Sequence, residues 1–264
     1  MRTTSLLVMS LFEIDPDAGL RVEVDDAVAT VTLARPERLN SQGPVMWEEL
    51  VRVRRALPAT VRVAVLRGEG RAFSAGLDKS LIGAGGILDL AQLPEAEATA
   101  RIAGWQDAFD WSSRADLVTV AAVQGHAIGG GFQLALGVDI RIVADDVSFC
   151  MAEPTLGIVP DLGGTKRLVD LVGTSRATEI CLTGRRIGAE EALRLGLASH
   201  VVPAGELDAA VATTVQAVLA IDRDASAETK ALLAGAHTRS QDGQQRAERE
   251  AQYRRLRALT GHAE

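Results

Sequence analysis

Hydrophobic positions along this chain switch repeatedly between a strand period and a helix period. Residues 21–33, RVEVDDAVATVTL, alternate apolar and polar around Asp25-Asp26, a pattern that predicts a β-hairpin. Residues 44–57 place Met46, Leu50, Val53 and Leu57 at helical spacing, and Pro58 ends the run. VRVAVL at 61–66 and LVTVAAV at 117–123 are continuous β-branched runs, which predict buried strands, and shorter runs at 139–143 and 147–150 predict two more. Residues 95–111 read as a helix, and 164–172, 174–182 and 189–195 as three short helices parted by glycines. Such alternation predicts an α/β fold. From residue 205 onward only helices are expected. Residues 246–259, RAEREAQYRRLRAL, are polar nearly all round, with Glu250 and Arg254 spaced for an i,i+4 pair. A helix without a core-facing stripe reads as a partner-contacting or solvent-bridging arm. The pattern divides the chain into an N-terminal extension (1–18), an α/β core (19–204) and a C-terminal helical region (205–264).

The segment 117–168 concentrates the candidate chemistry. After its strand come Gly129, Gly130 and Gly131, opening a short apolar helix at 132–136. Glycines let the backbone approach a ligand closely, and a helix start aims unpaired N–H groups and a positive dipole end at it. Glu153 and Asp161 follow in stretches too apolar to be ordinary charged surface. The combination points to anion stabilisation beside acid/base chemistry. Tight helix–strand packing without chemistry is the plainer reading of the glycines alone.

Composition narrows the classes. With 47% hydrophobic and 24% charged residues the chain is globular rather than disordered, and a net charge of -7 argues against a nucleic-acid surface. Cys150 and Cys181 match no zinc or redox spacing and no disulfide scaffold, so a reducing cytoplasm is the simpler context. The apolar residues 6–12 are too few, and too soon acidic, for a signal peptide, and no run is long enough to span a membrane. A G-x-S-x-G elbow lacks its first glycine at Ala72–Gly76, and Gly125 with Gly129–Gly131 misses the G-x-G-x-x-G spacing.

Five motifs in order, RPERLNS, VAVLRGEGRAFSAGLD, AAVQGHAIGGGFQLALGVDIRIVADDVSF, EPTLGIVPDLGGTKRL and LTGRRIGAEEALRLGLASHVV, resemble those of the crotonase (enoyl-CoA hydratase/isomerase) superfamily. The resemblance spans about residues 20–203. It implies a spiral of ββα units with a C-terminal helical trimerisation subdomain, a homotrimer or dimer of trimers, and a coenzyme A thioester as substrate with no separate cofactor. It also implies an oxyanion hole of two backbone N–H groups, carried over by motif position to Leu77 and Gly130. Around them the resemblance sets Ala75, Asp78, Lys79 and Gly129 as substrate-binding positions.

Among the family's hydratases two glutamates hold and activate water. Here one of those places is Glu153 and the other is Gln133, an amide that orients but cannot exchange a proton at neutral pH. Asp161 stands where family members that shift double bonds in dienoyl thioesters carry an acid, or else caps the next helix. The expectation is therefore a cytoplasmic enzyme acting on an enoyl-CoA through an oxyanion-stabilised enolate, with Glu153 as base, Asp161 as second acid/base and Gln133 as positioner. Hydration and a dienoyl-type double-bond shift both remain open, as does a non-catalytic acyl-CoA-binding protein on the same fold. Arg35, Arg38 and Lys79 are either surface charges or contacts to the nucleotide end. His126 is expected to be packed or hydrogen-bonded, and Trp105 and Trp111 to wall the acyl pocket or simply pack.

Overall fold

The structure, a computed structural model, describes residues 13–83 and 86–261, so the first twelve positions of the N-terminal extension and Ala84-Gly85 of the GAGG loop lie outside the described residues. Strands β1 (Leu20–Asp25) and β2 (Val28–Leu33) pair antiparallel, with Asp26 at φ 50° in the turn between them. Helix α1 (Pro44–Ala56) then carries the chain back to β3 (Val63–Gly68), parallel to β2. Adding β4 (Val118–Val123), β6 (Ile140–Ala144) and β9 (His200–Val202) gives a six-stranded sheet of order β1-β2-β3-β4-β6-β9. From β2 onward every neighbour is parallel.

Both faces of this sheet are covered, which is why the strands read as continuous apolar runs. Val31, Leu66, Ala121 and Val123 join the core beneath α1, with its Trp47, Leu50 and Val53. Val63, Val65, Val120 and Ile142 face the other way, against Leu207, Val211 and Val215 of α7 (Leu207–Leu219). Arg62 fixes the end of α7 by donating to the carbonyls of Leu219 at 3.0 Å and Ile221 at 2.7 Å, satisfying groups that a helix terminus leaves open. The first helix of the C-terminal region thus roofs the sheet, while α8 (Arg223–Gly235) and α9 (Gln241–Leu259) extend beyond it.

A second sheet positions the candidate chemistry. Strand β5 (His126–Ile128) lies parallel to β7 (Ser148–Cys150), with Ile128 opposite Cys150, and β8 (Ile187–Gly188) pairs antiparallel to β7. Because β5 and β7 run in the same direction and register, both chains leave at one edge. Gly129 follows one and Glu153 soon follows the other. Helix α3 (Gly130–Leu136) starts there, wholly buried, its Phe132 packed on Phe149 of β7 with ring centroids 4.8 Å apart.

Two expectations need correction. The helix expected over 95–111 stops as α2 (Glu95–Gln106) and continues as short 3-10 turns at 107–109 and 111–113. Phe109 and Trp111 are both buried, and residues two apart cannot share a helix face, so the turns bring both inward. In α9, Arg254 does not bond Glu250. It grips Glu228 of α8 with two 2.8 Å hydrogen bonds, and Arg255 does the same for Asp222 and Asp224 at 2.6 and 2.8 Å. Both oxygens of the Glu228 carboxylate receive the guanidinium, a two-pronged geometry across the helix pair. Among the described residues no single helix is long and apolar enough to cross a membrane, and no group of three or more metal-ligating side chains occurs.

Candidate active site

The AFSAGLD loop is laced to its surroundings through backbone bonds. Ser74 N–H donates to His126 O at 2.8 Å and Ile128 N–H to Ser74 O at 3.0 Å, while Gln42 N–H reaches Gly76 O at 2.7 Å and Asp78 N–H reaches Gln42 O at 2.8 Å. Gly76 is caught between these partners at φ +79°, where a Cβ would stand 2.3 Å from Ile128 O and 3.3 Å from Gly130 N. Only glycine tolerates that approach. It brings Leu77 and Gly130, the first residue of α3, to the same cavity. Among the described residues neither N–H donates to a hydrogen bond.

Glu153 enters from the end of β7 and is 7% exposed. Gln133 Nε2 donates to its Oε1 at 2.7 Å, and Oε2 has no hydrogen-bond partner among the described residues. The amide orientation follows from its other end, where Gln133 Oε1 accepts from Leu162 N–H at 3.0 Å and Gly164 N–H at 3.1 Å. Two backbone donors consume the carbonyl and leave only the NH2 to face the carboxylate. A glutamate at 133 would instead set a second carboxylate against Glu153. Burial pushes the Glu153 carboxyl above the ordinary glutamate range; the Gln133 bond opposes that shift and the charge of Asp161 adds to it. Gly129, at φ +51°, passes so close that a Cβ there would lie 3.1 Å from Glu153 Oε1.

Asp161 is half-buried, and burial raises its carboxyl as well. The next helix, α4 (Gly164–Val172), begins at Gly163 without a side-chain cap, so the capping alternative for Asp161 is not what the structure shows. Its carbonyl is pinned by Gln106 Nε2 at 2.6 Å. Leu77, Gly130, Glu153 and Asp161 open onto one cavity of about 350 Å³, walled by Trp47, Trp105, Leu90, Ile158 and Leu162 among others. The two carboxyls are the only charged groups among its described lining residues. Two uncommitted N–H donors and two carboxyls of raised pKa in an apolar cavity can stabilise a nascent oxyanion while a proton is moved.

Most of the remaining sequence candidates lie outside the described lining of this cavity. Asp78 accepts from Ser80 N–H at 3.0 Å, Ser41 Oγ at 3.1 Å and Arg38 Nη1 at 3.2 Å; the Ser80 bonds lead in holding its carboxyl at about 2. It anchors the loop and commits Arg38 to the same task. Lys79 is exposed. Ala75 N–H bonds Leu39 O at 2.8 Å, and the Arg35 side chain packs over Gly19. His126 is exposed on β5, contrary to the expectation of a packed or bonded ring, because the strand's buried side is filled by Ala127. Trp105 walls the cavity; Trp111 is fully buried and donates to Ala108 O at 2.9 Å. Sequence reasoning missed Gln42, fully buried, which donates to Ser74 Oγ at 3.0 Å and accepts from Trp47 Nε1 at 3.1 Å. Its place directly after RLNS was the available signal.

The class that this fold and cavity define is met in known proteins. The Enoyl-CoA hydratase/isomerase family profile matches residues 23–260. A Mycobacterium bovis protein assigned as an enoyl-CoA hydratase is 36% identical over 202 residues, 74% of each chain. The carnitinyl-CoA dehydratase of Escherichia coli K12 is 42% identical over 149 residues, 56% of this chain and 53% of that one. A Thermobifida fusca YX protein assigned as an enoyl-CoA hydratase, solved with acetoacetyl-CoA, superposes with a TM-score of 0.88 at 48% identity, covering 90% of this chain and 95% of that one. The chain belongs to the enoyl-CoA hydratase/isomerase family of enzymes, with the crotonase fold.

Proposed function

We propose that this enzyme moves a proton between carbons of an enoyl-CoA thioester. Glu153 removes the proton from the activated carbon, and the enolate oxygen so formed is held by the N–H groups of Leu77 and Gly130. Asp161, across the same cavity, returns a proton at another carbon, shifting the double bond. No atom is gained or lost, the two carboxyls exchange the proton between them through solvent, and coenzyme A is part of the substrate. Asp78 and Lys79, which directly follow Leu77 in the chain, would meet the pantetheine end of the thioester. The observation that carries the reading is the state of Gln133. Its carbonyl is spent on Leu162 and Gly164 and its NH2 on Glu153, so it positions the base and offers no second carboxylate for water.

Hydration is the second reading, supported by the hydratase assignments of the relatives; Asp161 would then share the water with Glu153. One experiment separates them: trans-2- and 3-enoyl-CoA are incubated with enzyme in deuterated water and the products are weighed. Deuterium incorporation with a displaced double bond is the expected result. Gain of water as the main product establishes hydration, and no change with any enoyl thioester leaves a non-catalytic acyl-CoA-binding protein. We extend the reading to self-association through the outer face of α8 and α9, where Leu233, Tyr253, Leu256 and Leu259 are exposed, with sedimentation as its test.

A further inference from the structure

Trp105 stands between two cavities. On one side lies the cavity of about 350 Å³ with Glu153 and Asp161; on the other lies a second of about 480 Å³ bordered by Pro44, Glu48, Leu81, Leu93 and Arg101. Trp105, Ile87 and Leu90 line both, so the two spaces share a wall three side chains wide. Trp105 is braced in that wall. It is 7% exposed, and its ring meets Trp47 with centroids 5.4 Å apart and planes at 57°. Trp47 in turn is tied by its Nε1 to Gln42, whose backbone pairs with Leu77. The partition is therefore built into the same network that sets the Leu77 N–H.

The two compartments differ in chemistry. The inner one presents aromatic and aliphatic surface, and its described lining holds two acidic groups and no cation. The outer one is bordered by Glu48, Asp89 and Arg101. An acyl tail ending in a carboxylate would find no counter-charge inside and would meet two carboxyls, a costly burial. At roughly 30 Å³ for each water-sized group, the inner space holds about a dozen non-hydrogen atoms. With the thioester carbonyl seated there too, about ten remain for the acyl chain.

Resting on the functional reading above, we propose that the site takes an uncharged apolar acyl group of up to roughly ten carbons, and that Trp105 is the specificity-determining residue that stops longer chains at the partition. The substrate is then a medium-chain or compact ring-bearing enoyl-CoA, and removing the indole joins the two cavities into one longer channel.

The test measures kcat/KM for crotonyl-, hexenoyl-, decenoyl-, hexadecenoyl- and glutaconyl-CoA with the full chain and with Trp105→Ala. Wild-type values are expected to climb to decenoyl and drop for hexadecenoyl, with the carboxylated glutaconyl thioester far below its uncharged neighbours. In Trp105→Ala the hexadecenoyl-to-decenoyl ratio should rise by about tenfold or more, chiefly through KM, since pocket fit of this kind is worth at least that much discrimination. A ratio is read within one preparation, so partial unfolding scales both substrates alike and cannot mimic the shift. Should Trp105→Ala fail to fold, Leu90→Ala thins the same wall and must move the ratio in the same direction. An unmoved ratio in the folded variant overturns the partition, as does a wild type that already prefers hexadecenoyl-CoA. Activity on glutaconyl-CoA alone overturns the uncharged-acyl proposal, whereas a wild type inactive on all five thioesters overturns the functional reading beneath it.

Discussion

The cavity at the start of α3 and the outer pair α8–α9 are held by opposite means. Around Glu153 the polar groups are few and buried, and part of their hydrogen-bonding capacity is unspent: Oε2 of Glu153 and the N–H groups of Leu77 and Gly130 have no partners among the described residues. Between α8 and α9 the polar groups are many, each pair keeps one member more than half exposed, and Arg254 and Arg255 close two-pronged bonds onto Glu228, Asp222 and Asp224. Unspent capacity in a dry place costs stability and is available to a substrate; satisfied capacity in water costs little and does little. The comparison predicts which region loses function and which loses almost nothing when a charge is removed.

The largest effect belongs to Glu153. Replacing it by Gln keeps the shape and an acceptor for Gln133 but removes the base, and turnover should fall by roughly 10²–10⁴-fold while a thioester ligand still binds. Retained turnover in steady-state assays ends the assignment. In the wild type the raised carboxyl places the acid limb of kcat/KM above 4.5, the ordinary glutamate value, because the base must be ionised to act. A limb at or below that value contradicts the burial argument.

Next comes Gly76→Ala. The methyl would collide with Ile128 O and sit 3.3 Å from Gly130 N, at a φ of +79° that a side chain rarely adopts. Spreading the two N–H groups should cost about 10²–10³-fold in kcat, as loss of an oxyanion donor does. Kinetics alongside thermal melting checks it: full activity in the folded variant would mean that those N–H groups do not meet the reacting oxygen.

Asp161→Asn should separate function from stability. A carboxyl raised in the folded state contributes stability that is fully present below its ordinary value of 3.8 and is lost as pH rises through the folded value. Wherever pH exceeds that folded value the ionised group is a net cost, so there the neutral amide should raise Tm relative to the wild type. Activity should fall at the same time. A variant that loses stability and keeps activity would make Asp161 structural.

The same contrast explains what was legible in the sequence. The buried region was readable because each site group sits at a fixed offset from a strand end: Gly129 directly after β5, Glu153 soon after β7, Leu77 after the loop bridged to both Gln42 and β5. Parallel register converts such offsets into proximity, so motif order was enough. Gln133 was read as a positioner, but its partners were not, because Leu162 and Gly164 lie about thirty residues on and meet it only when α4 folds back. Gln42 was missed since a glutamine in a polar loop looks solvated until Trp47 covers it. In the tail, helical spacing named the wrong acceptor for Arg254, because i,i+4 proximity says nothing about a carboxylate brought up by a neighbouring helix.

The smallest effect should come from that last pair. Arg254 and Glu228 are paired at 2.8 Å with side chains 57% and 27% exposed, so the carboxylate left behind when Arg254 is removed still reaches water. Arg254→Ala should leave kcat/KM unchanged and move Tm by no more than about 1 °C, with the residual difference vanishing in high salt as screening replaces the partner. A large, salt-insensitive drop in Tm would show instead that the α8–α9 face is dry in solution. The contrast between the two regions would then hold only for the isolated chain, and the outer helices would belong to an interior shared with other copies.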